Sequence, residues 1–174
     1  MIYRFRIVLD TLEDVFRDIE IQQDANLEDL HNAITQAFGF EGNEMASFYL
    51  SDQEWSQGEE IALYDMKEGI GTTRIMSETQ IDSAVSTDHT KLIYVYDFFD
   101  MWTFYVELAD IVEPEVGITY PNLMYSHGIM PENPPEKKFE SDDLDDDSDL
   151  FDDEFGDDQI DLDDLDNFDF GQWN

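Results

Sequence analysis

Cysteine does not occur anywhere in this chain. Its absence excludes disulfide bonds, thiolate metal ligands and a cysteine nucleophile. Nothing in the remaining sequence indicates a bound cofactor, so none is predicted.

Basic residues are scarce. Eight Lys and Arg residues face 44 Asp and Glu residues, which gives a formal net charge of −36. Phosphate binding requires a basic surface, so direct binding of nucleic acid is not predicted. Such a charge instead favours a basic protein, cations, or a protein site that normally holds nucleic acid.

Long apolar segments are missing as well. No run approaches the roughly 18 apolar residues that a membrane span needs, and charges interrupt the first residues, MIYRFRIVLDTLEDVF, so no signal peptide is indicated. A length of 174 residues suits one domain with a real core. We therefore expect a soluble, cytoplasmic protein without membrane contact.

The most apolar and aromatic stretch is KLIYVYDFFDMWTFYVELADI, residues 91–111. Its first part, Leu92 to Phe98, is almost continuously apolar, as in a strand covered on both faces. From Trp102 to Leu108 apolar residues mostly alternate with more polar ones, as in a strand with one wet face. Residues 97–101 must reverse the chain, so the sequence predicts a central hairpin.

Two more strands and a helix precede this hairpin. Residues 3–9 and 15–22 alternate apolar and polar side chains, which predicts a hairpin with Arg4 and Arg6 opposite Asp18 and Glu20. Asn26 is a favourable N-cap and Gly39 a natural C′ residue for a helix between them. Its apolar face, expected to lie on the sheet, carries Leu27, Leu30, Ile34, Ala37 and Phe38.

The whole pattern predicts an α+β fold, with a mixed or antiparallel sheet of about five or six strands and a β-β-α-β order at the start. Further strands are expected at residues 45–50 and 61–64, and a short second helix near residues 81–85. Residues 1–112 form the predicted core domain. Residues 113–139, which contain all five prolines, form an extended segment packed on it.

Residues 140–174 form an acidic-aromatic tail, with 17 acidic residues and no Lys, Arg or His. Such a segment cannot bury enough apolar surface to offset chain entropy and self-repulsion, so it is predicted to be disordered. Large apolar residues are spaced through it, and acidic-aromatic segments can bind a basic, apolar groove. The predicted partner-binding residues are Phe151, Phe155, Phe168, Phe170 and Trp173. A purely solubilising tail is the alternative.

The tail also carries a calcium-like spacing. Asp143, Asp145, Asp147, Asp149 and Glu154 occupy the first, third, fifth, seventh and twelfth places of an EF-hand loop, but Ser148 stands where the sharp turn needs glycine. In so acidic a segment chance matches are expected. Divalent cations are predicted to bind at most weakly.

Candidate catalytic residues are few. Asp97 and Asp100 flank the predicted turn, where Asp side chains commonly accept bonds from backbone N–H groups. His31 lies at the edge of the helix's apolar face, where a histidine is more often a packing residue than a ligand. Ser126-His127 resembles a nucleophile and base, but adjacent residues rarely reach catalytic geometry.

Three segments together resemble the plasmid pRiA4b ORF-3-like family, also labelled as insertion-element passengers with a resolvase-like name. LEDLHNAITQAFGF is similar to the family's helix, YVYDFFDMW to its YDFGDxW signature, and TYPNLMYSHGIMPENPPE to its Tyr-Pro and Pro-Pro-Glu segment. Phe99 and Met101 depart from the signature, and the histidines and cysteines of relatives are replaced here. The resemblance implies an α+β domain with a mixed sheet and a packed helix, and no defined biochemical role.

The leading functional hypothesis is a non-enzymatic accessory or protein-interaction domain, associated with mobile elements, whose tail binds a basic partner. One alternative is a DNA mimic that presents carboxylates to a nucleic-acid-binding protein. Another is a carboxylate-based hydrolase that uses Asp97, Asp100 and His31 or His127.

Overall fold

Eight strands form one sheet in the part of the chain that the structure, a computed structural model, describes: residues 1–65 and 74–135. The strands are β1 (Ile2–Leu9), β2 (Phe16–Gln22), β3 (Ala46–Leu50), β4 (Glu60–Ala62), β5 (Arg74–Ile75), β6 (Lys91–Tyr96), β7 (Trp102–Val112) and β8 (Asn122–His127). They lie side by side in the order β5-β4-β3-β6-β7-β1-β2-β8. Neighbours are antiparallel except β4 and β5, so the sheet is mixed.

The main helix, α1, spans Leu27–Phe38 and has the predicted caps. The Asn26 side chain accepts a hydrogen bond from the Asp29 N–H at 2.8 Å, and the Asp29 carboxylate accepts one from the Asn26 N–H at 3.2 Å. This reciprocal pair satisfies two N–H groups at the start of the helix. Gly39 ends it with a φ of 81°, a conformation in which glycine has no Cβ penalty.

Helix α1 covers one face of the sheet with its apolar stripe. Leu27, Leu30 and Ile34 are fully buried, and the Phe38 ring lies 4.6 Å from the Phe104 ring of β7, centroid to centroid. Burial of each such side chain contributes about 1.5–3 kcal/mol. The helix is therefore held mainly by this stripe.

The first hairpin has the predicted register, with Arg4 opposite Glu20 and Arg6 opposite Asp18. The Nε atoms of the two arginines lie 2.8 Å and 2.9 Å from carboxylate oxygens of these partners. The predicted cross-strand pairs are confirmed. Two of the few basic side chains therefore form ion pairs between neighbouring strands of the sheet.

The α+β class, the central hairpin of β6 and β7 and the short second helix, α2 (Ile81–Ala84), are confirmed. The predicted number of about five or six strands is wrong, because the described sheet has eight. The two strands that the sequence does not predict are β5 and β8. Strand β5 has only two residues, too few for a periodic pattern. Strand β8 lies within the proline-containing segment and, among the strands of the described ranges, pairs with β2 alone. An edge strand held by backbone bonds needs no alternation of buried side chains, and Leu123, Met124 and Tyr125 are 48%, 49% and 51% exposed.

Candidate functional site

His31 lies inside the core, between helix α1 and the hairpin. It is 2% exposed, and its Nδ1 is 2.6 Å from the hydroxyl oxygen of Tyr94 on β6. Burial lowers the pKa of His31 to about 4. Burial, followed by the nearby Tyr96, raises the pKa of Tyr94 well above its ordinary value. Both groups are therefore neutral near pH 7, and their hydrogen bond satisfies two polar groups buried among apolar side chains.

Asp97 lies in the turn between β6 and β7. Its backbone adopts a φ of 63°, which Asp tolerates better than most residues. Its Oδ1 accepts hydrogen bonds from the N–H groups of Phe99 at 3.0 Å and Asp100 at 3.4 Å. The Asp100 side chain is exposed. Phe99, where the family signature has glycine, is 94% exposed, and the positive φ angles of this turn fall on Asp97 and Met101.

His127 lies at the end of edge strand β8, which is three strands away from β7 in the sheet, whereas Asp97 lies in the turn between β6 and β7. Its ring stacks on Phe16 with centroids 5.1 Å apart. The catalytic candidates thus occupy three different settings: the core beneath α1, the β6–β7 turn and the β8 edge. Within residues 1–65 and 74–135, no group of three or more His, Asp and Glu side chains is arranged to hold a metal ion.

The predicted tail residues and the calcium-like series lie outside the described residues. Phe151, Phe155, Phe168, Phe170 and Trp173 are among them, as are Asp143, Asp145, Asp147, Asp149 and Glu154. Their roles stay predictions.

Each basic side chain in the described ranges has a partner. Four are paired with carboxylates: Arg4 with Glu20, Arg6 with Asp18, Arg74 with Glu59, and Lys91 with Glu107. Burial raises the pKa of Glu20, but hydrogen bonds from Arg4 and Asn122 and the charge of Arg4 outweigh it, so the pKa is lowered overall. These cations are committed to local partners, and the surplus charge of the surface is negative.

Arg17 is the remaining basic residue of the described ranges, and it is 8% exposed. Its Nε donates to the Ala37 carbonyl at 3.2 Å, and its Nη1 donates to the carbonyls of Phe16 and His127 at 2.8 Å each. Its guanidinium carbon lies 4.9 Å from the centre of the Phe38 ring. Burial lowers the pKa of Arg17. Because the last turn of α1 has no basic residue of its own, Arg17 supplies positive charge there and ties α1 and β8 to β2.

A groove runs between helix α1 and strand β8, with a volume of about 390 Å³. We call it the α1–β8 groove. The helix contributes residues spaced three or four apart, beside the buried stripe: Asp29, Asn32, Ala33, Gln36 and Ala37. The sheet side contributes Ile19, Pro121, Asn122 and Leu123. Its floor is apolar and three amide side chains line it. Among the described lining residues, Asp29 is the one with an ionisable side chain. Volumes of this order suit small molecules or peptide side chains.

Sequence reasoning missed this groove. The available signals were the second helical stripe at residues 29, 32–33 and 36–37, and the absence of Asp, Glu, Lys and Arg from residues 122–127. Neither identifies a groove without the position of β8.

A second cavity, of about 460 Å³, lies beside α2. Its lining includes His89, Lys91 and three serines, together with Asp82. The Lys91 ammonium group is already paired with Glu107 and lies 5.0 Å from the centre of the Trp55 ring. This cavity therefore offers no uncommitted lysine.

The fold and these surfaces define an α+β domain with a mixed sheet, a helix on one face and a groove at one edge. Residues 1–137 match the family described as plasmid pRiA4b ORF-3-like protein, so the chain belongs to that family. No functionally curated protein matches it.

A solved structure with a similar fold is the crystal structure of the protein of unknown function MM3350 from Methanosarcina mazei Go1. It has a TM-score of 0.62 and 19% sequence identity, over 72% of this chain and 68% of that chain. At this identity the likeness concerns the fold alone. Among the described residues, neither helix has the length and apolar character needed to cross a bilayer.

Proposed function

We propose that this protein is a non-enzymatic protein-interaction domain, and that residues 140–174 bind a basic, partly apolar partner. Charge is the observation that carries this proposal. The chain has a net charge of −36, and each basic side chain in the described ranges is engaged within the domain. The charge left for a partner is therefore negative, and a basic surface complements it.

The settings of the catalytic candidates also support a non-enzymatic role. His31 is bonded to Tyr94 in the core, and Asp97 bonds the backbone of its own turn. Each has a structural use that accounts for its position. We further propose a cytoplasmic location and an accessory role in mobile elements, in keeping with the plasmid named in the family description.

The test compares three full-length proteins. One is unchanged. In an aromatic variant, Phe151, Phe155, Phe168, Phe170 and Trp173 become serine while every charge is kept. In a charge variant, the acidic residues of 140–174 become Asn or Gln while every aromatic residue is kept. The probes are polylysine, which offers charge alone, and an amphipathic peptide of lysine and leucine.

Aromatic side chains anchor a complex while charge speeds the encounter. We therefore expect the aromatic variant to keep its affinity for polylysine but to bind the lysine–leucine peptide about tenfold more weakly. The charge variant should lose both, and binding of the unchanged protein should weaken with salt. Equal binding by all three proteins would mean that residues 140–174 only solubilise the domain.

DNA mimicry is the second candidate, favoured by the same surplus of carboxylates. It differs in predicting competition with duplex DNA for a single site on a purified DNA-binding protein. Simultaneous binding of DNA and this chain to that protein would exclude mimicry and leave the interaction domain.

A further inference from the structure

We propose that the α1–β8 groove binds an extended basic segment of a partner protein, and that this segment adds to the sheet as a strand beside β8. This surface is distinct from residues 140–174, so it goes beyond the function proposed above.

The outer edge of β8 is the first observation. Within residues 1–65 and 74–135, β8 pairs with β2 on one side and with no strand on the other. An edge strand directs alternate N–H and C=O groups outward, where a second chain can pair with them. Natural edges are commonly protected by charge, yet residues 122–127 read NLMYSH and carry neither acidic residues nor Lys or Arg. Among the described residues no strand occupies this edge, and its lack of acidic residues, Lys and Arg favours strand addition.

A bulge limits the register. Ile19 pairs with Leu123 and Asp18 with Tyr125, so Met124 is the extra residue. The bulge divides β8 into Asn122–Leu123, which line the groove, and Tyr125–His127, which do not. A strand that pairs beside Leu123 directs its alternate side chains toward the groove, because side chains alternate across a strand. We therefore expect the partner strand to pair with β8 at Asn122–Leu123.

The groove itself matches an extended peptide. Beside the buried Ile19, the partly exposed Ala33 and the half-exposed Leu123 offer apolar surface for one small side chain. The amide side chains of Asn32 and Gln36 are exposed on the helical wall, where they can hydrogen-bond a peptide backbone. Helix α1 forms one side of the groove and edge strand β8 forms its floor. This arrangement allows a peptide to bind by strand addition.

Charge selects a basic occupant. Asp29 is exposed and lines the groove, and among the described residues no basic side chain lines it. Arg4 on β1 and Arg17 on β2 are bonded to Glu20 and to backbone carbonyls. The long-range field of a chain with charge −36 also favours a basic partner and opposes a second copy of itself.

The probe is a peptide of alternating lysine and valine, six residues long, added to the full-length protein and followed by amide chemical shifts in two-dimensional NMR. Two control peptides replace lysine by glutamate or carry N-methyl groups on the backbone. We expect shifts in the amides of residues 29–37 and 122–127 with the lysine peptide. The N-methylated peptide should bind about tenfold more weakly, since it cannot complete the strand pairing.

Matched protein variants locate the contact. Asp29→Asn and Glu28→Gln remove the same charge from adjacent positions of α1, but only Asp29 lines the groove. Asp29→Asn should weaken binding about two- to fivefold and Glu28→Gln should not. Ala33→Trp fills the groove and should abolish the amide shifts of residues 122–127, whereas Ala109→Trp on the exposed part of β7 should leave them unchanged. In the aromatic variant of residues 140–174, the amide shifts of residues 29–37 and 122–127 should appear at the same peptide concentrations as in the unchanged protein, although separate binding by residues 140–174 should weaken.

Several results overturn the proposal. One is the absence of shifts in residues 29–37 and 122–127 at about 1 mM peptide. Another is equal groove shifts at equal concentrations of the N-methylated peptide, or unchanged groove shifts in an Ala33→Trp variant that retains the circular dichroism of the original. Self-association through β8, seen as a dimer by sedimentation, would assign the edge to a second copy. Shifts confined to residues 140–174 would count against the groove while supporting the function proposed above.

Discussion

Acid should weaken the fold through His31. Burial lowers the pKa of this histidine from 6.5 to about 4. Between pH 4 and pH 6.5 the imidazole is therefore mostly protonated in the unfolded chain and mostly neutral in the folded chain. The free energy of unfolding therefore rises with pH across that window and falls as the pH drops from about 6.5 to 4. A difference of this size corresponds to about 3 kcal/mol, a large part of the stability of a typical domain.

A double variant isolates this effect. His31→Phe with Tyr94→Phe replaces the bonded pair by apolar rings of similar shape, so neither polar group is left buried without its partner. Both proteins carry the same acidic residues, so the comparison isolates the substituted pair. His89→Gln changes an exposed histidine and serves as the control.

Urea unfolding at a series of pH values provides the measurement. Between pH 7 and pH 4, the original protein and His89→Gln should each lose about 3 kcal/mol more stability than the double variant. Parallel loss in all three proteins would refute the reasoning, because it would mean that His31 takes up its proton as readily in the folded state as in the unfolded state.

Three further predictions concern local bonds and use urea unfolding near pH 7. Arg17→Met should cost about 2 kcal/mol, because it leaves three carbonyls without their buried donor; Arg6→Met, at a more exposed pair, should cost under about 1 kcal/mol, and equal costs would argue against the role of Arg17. Asn26→Ala should cost about 1 kcal/mol through loss of the cap, and no change would show that the capping bonds add nothing. Asp97→Ala should cost about 1–2 kcal/mol through its turn bonds and positive φ, whereas Asp97→Asn should be nearly neutral; the reverse order would contradict the turn role.

The confirmed predictions rest on local features. Helix α1 could be bounded because its caps, Asn26 and Gly39, lie next to the residues they serve. The first hairpin could be placed because its alternation and its Arg–carboxylate pairs lie within about twenty residues of each other. The motifs that resemble the family are likewise contiguous, and residues 1–137 match it.

The missed features rest on distant partners. Strand β8 carries no clear alternation, and its place depends on β2, more than a hundred residues earlier in the chain. The α1–β8 groove exists only because that edge strand lies beside the helix. The sequence allows His31 to be either a packing residue or a ligand. Its buried position depends on Tyr94, 63 residues away in the chain.

The amino-acid order alone determined the absence of thiol chemistry, the excess of negative charge, the boundaries of α1 and the two long hairpins. These depend on composition or on neighbours within a few turns of chain, where capping and periodicity act. Only the tertiary structure decided that Arg17 and His31 are buried, and that a strand without acidic residues, Lys or Arg forms one edge of the described sheet beside a helix. Such outcomes depend on which distant segments the packed sheet brings together, and local energies do not encode that choice.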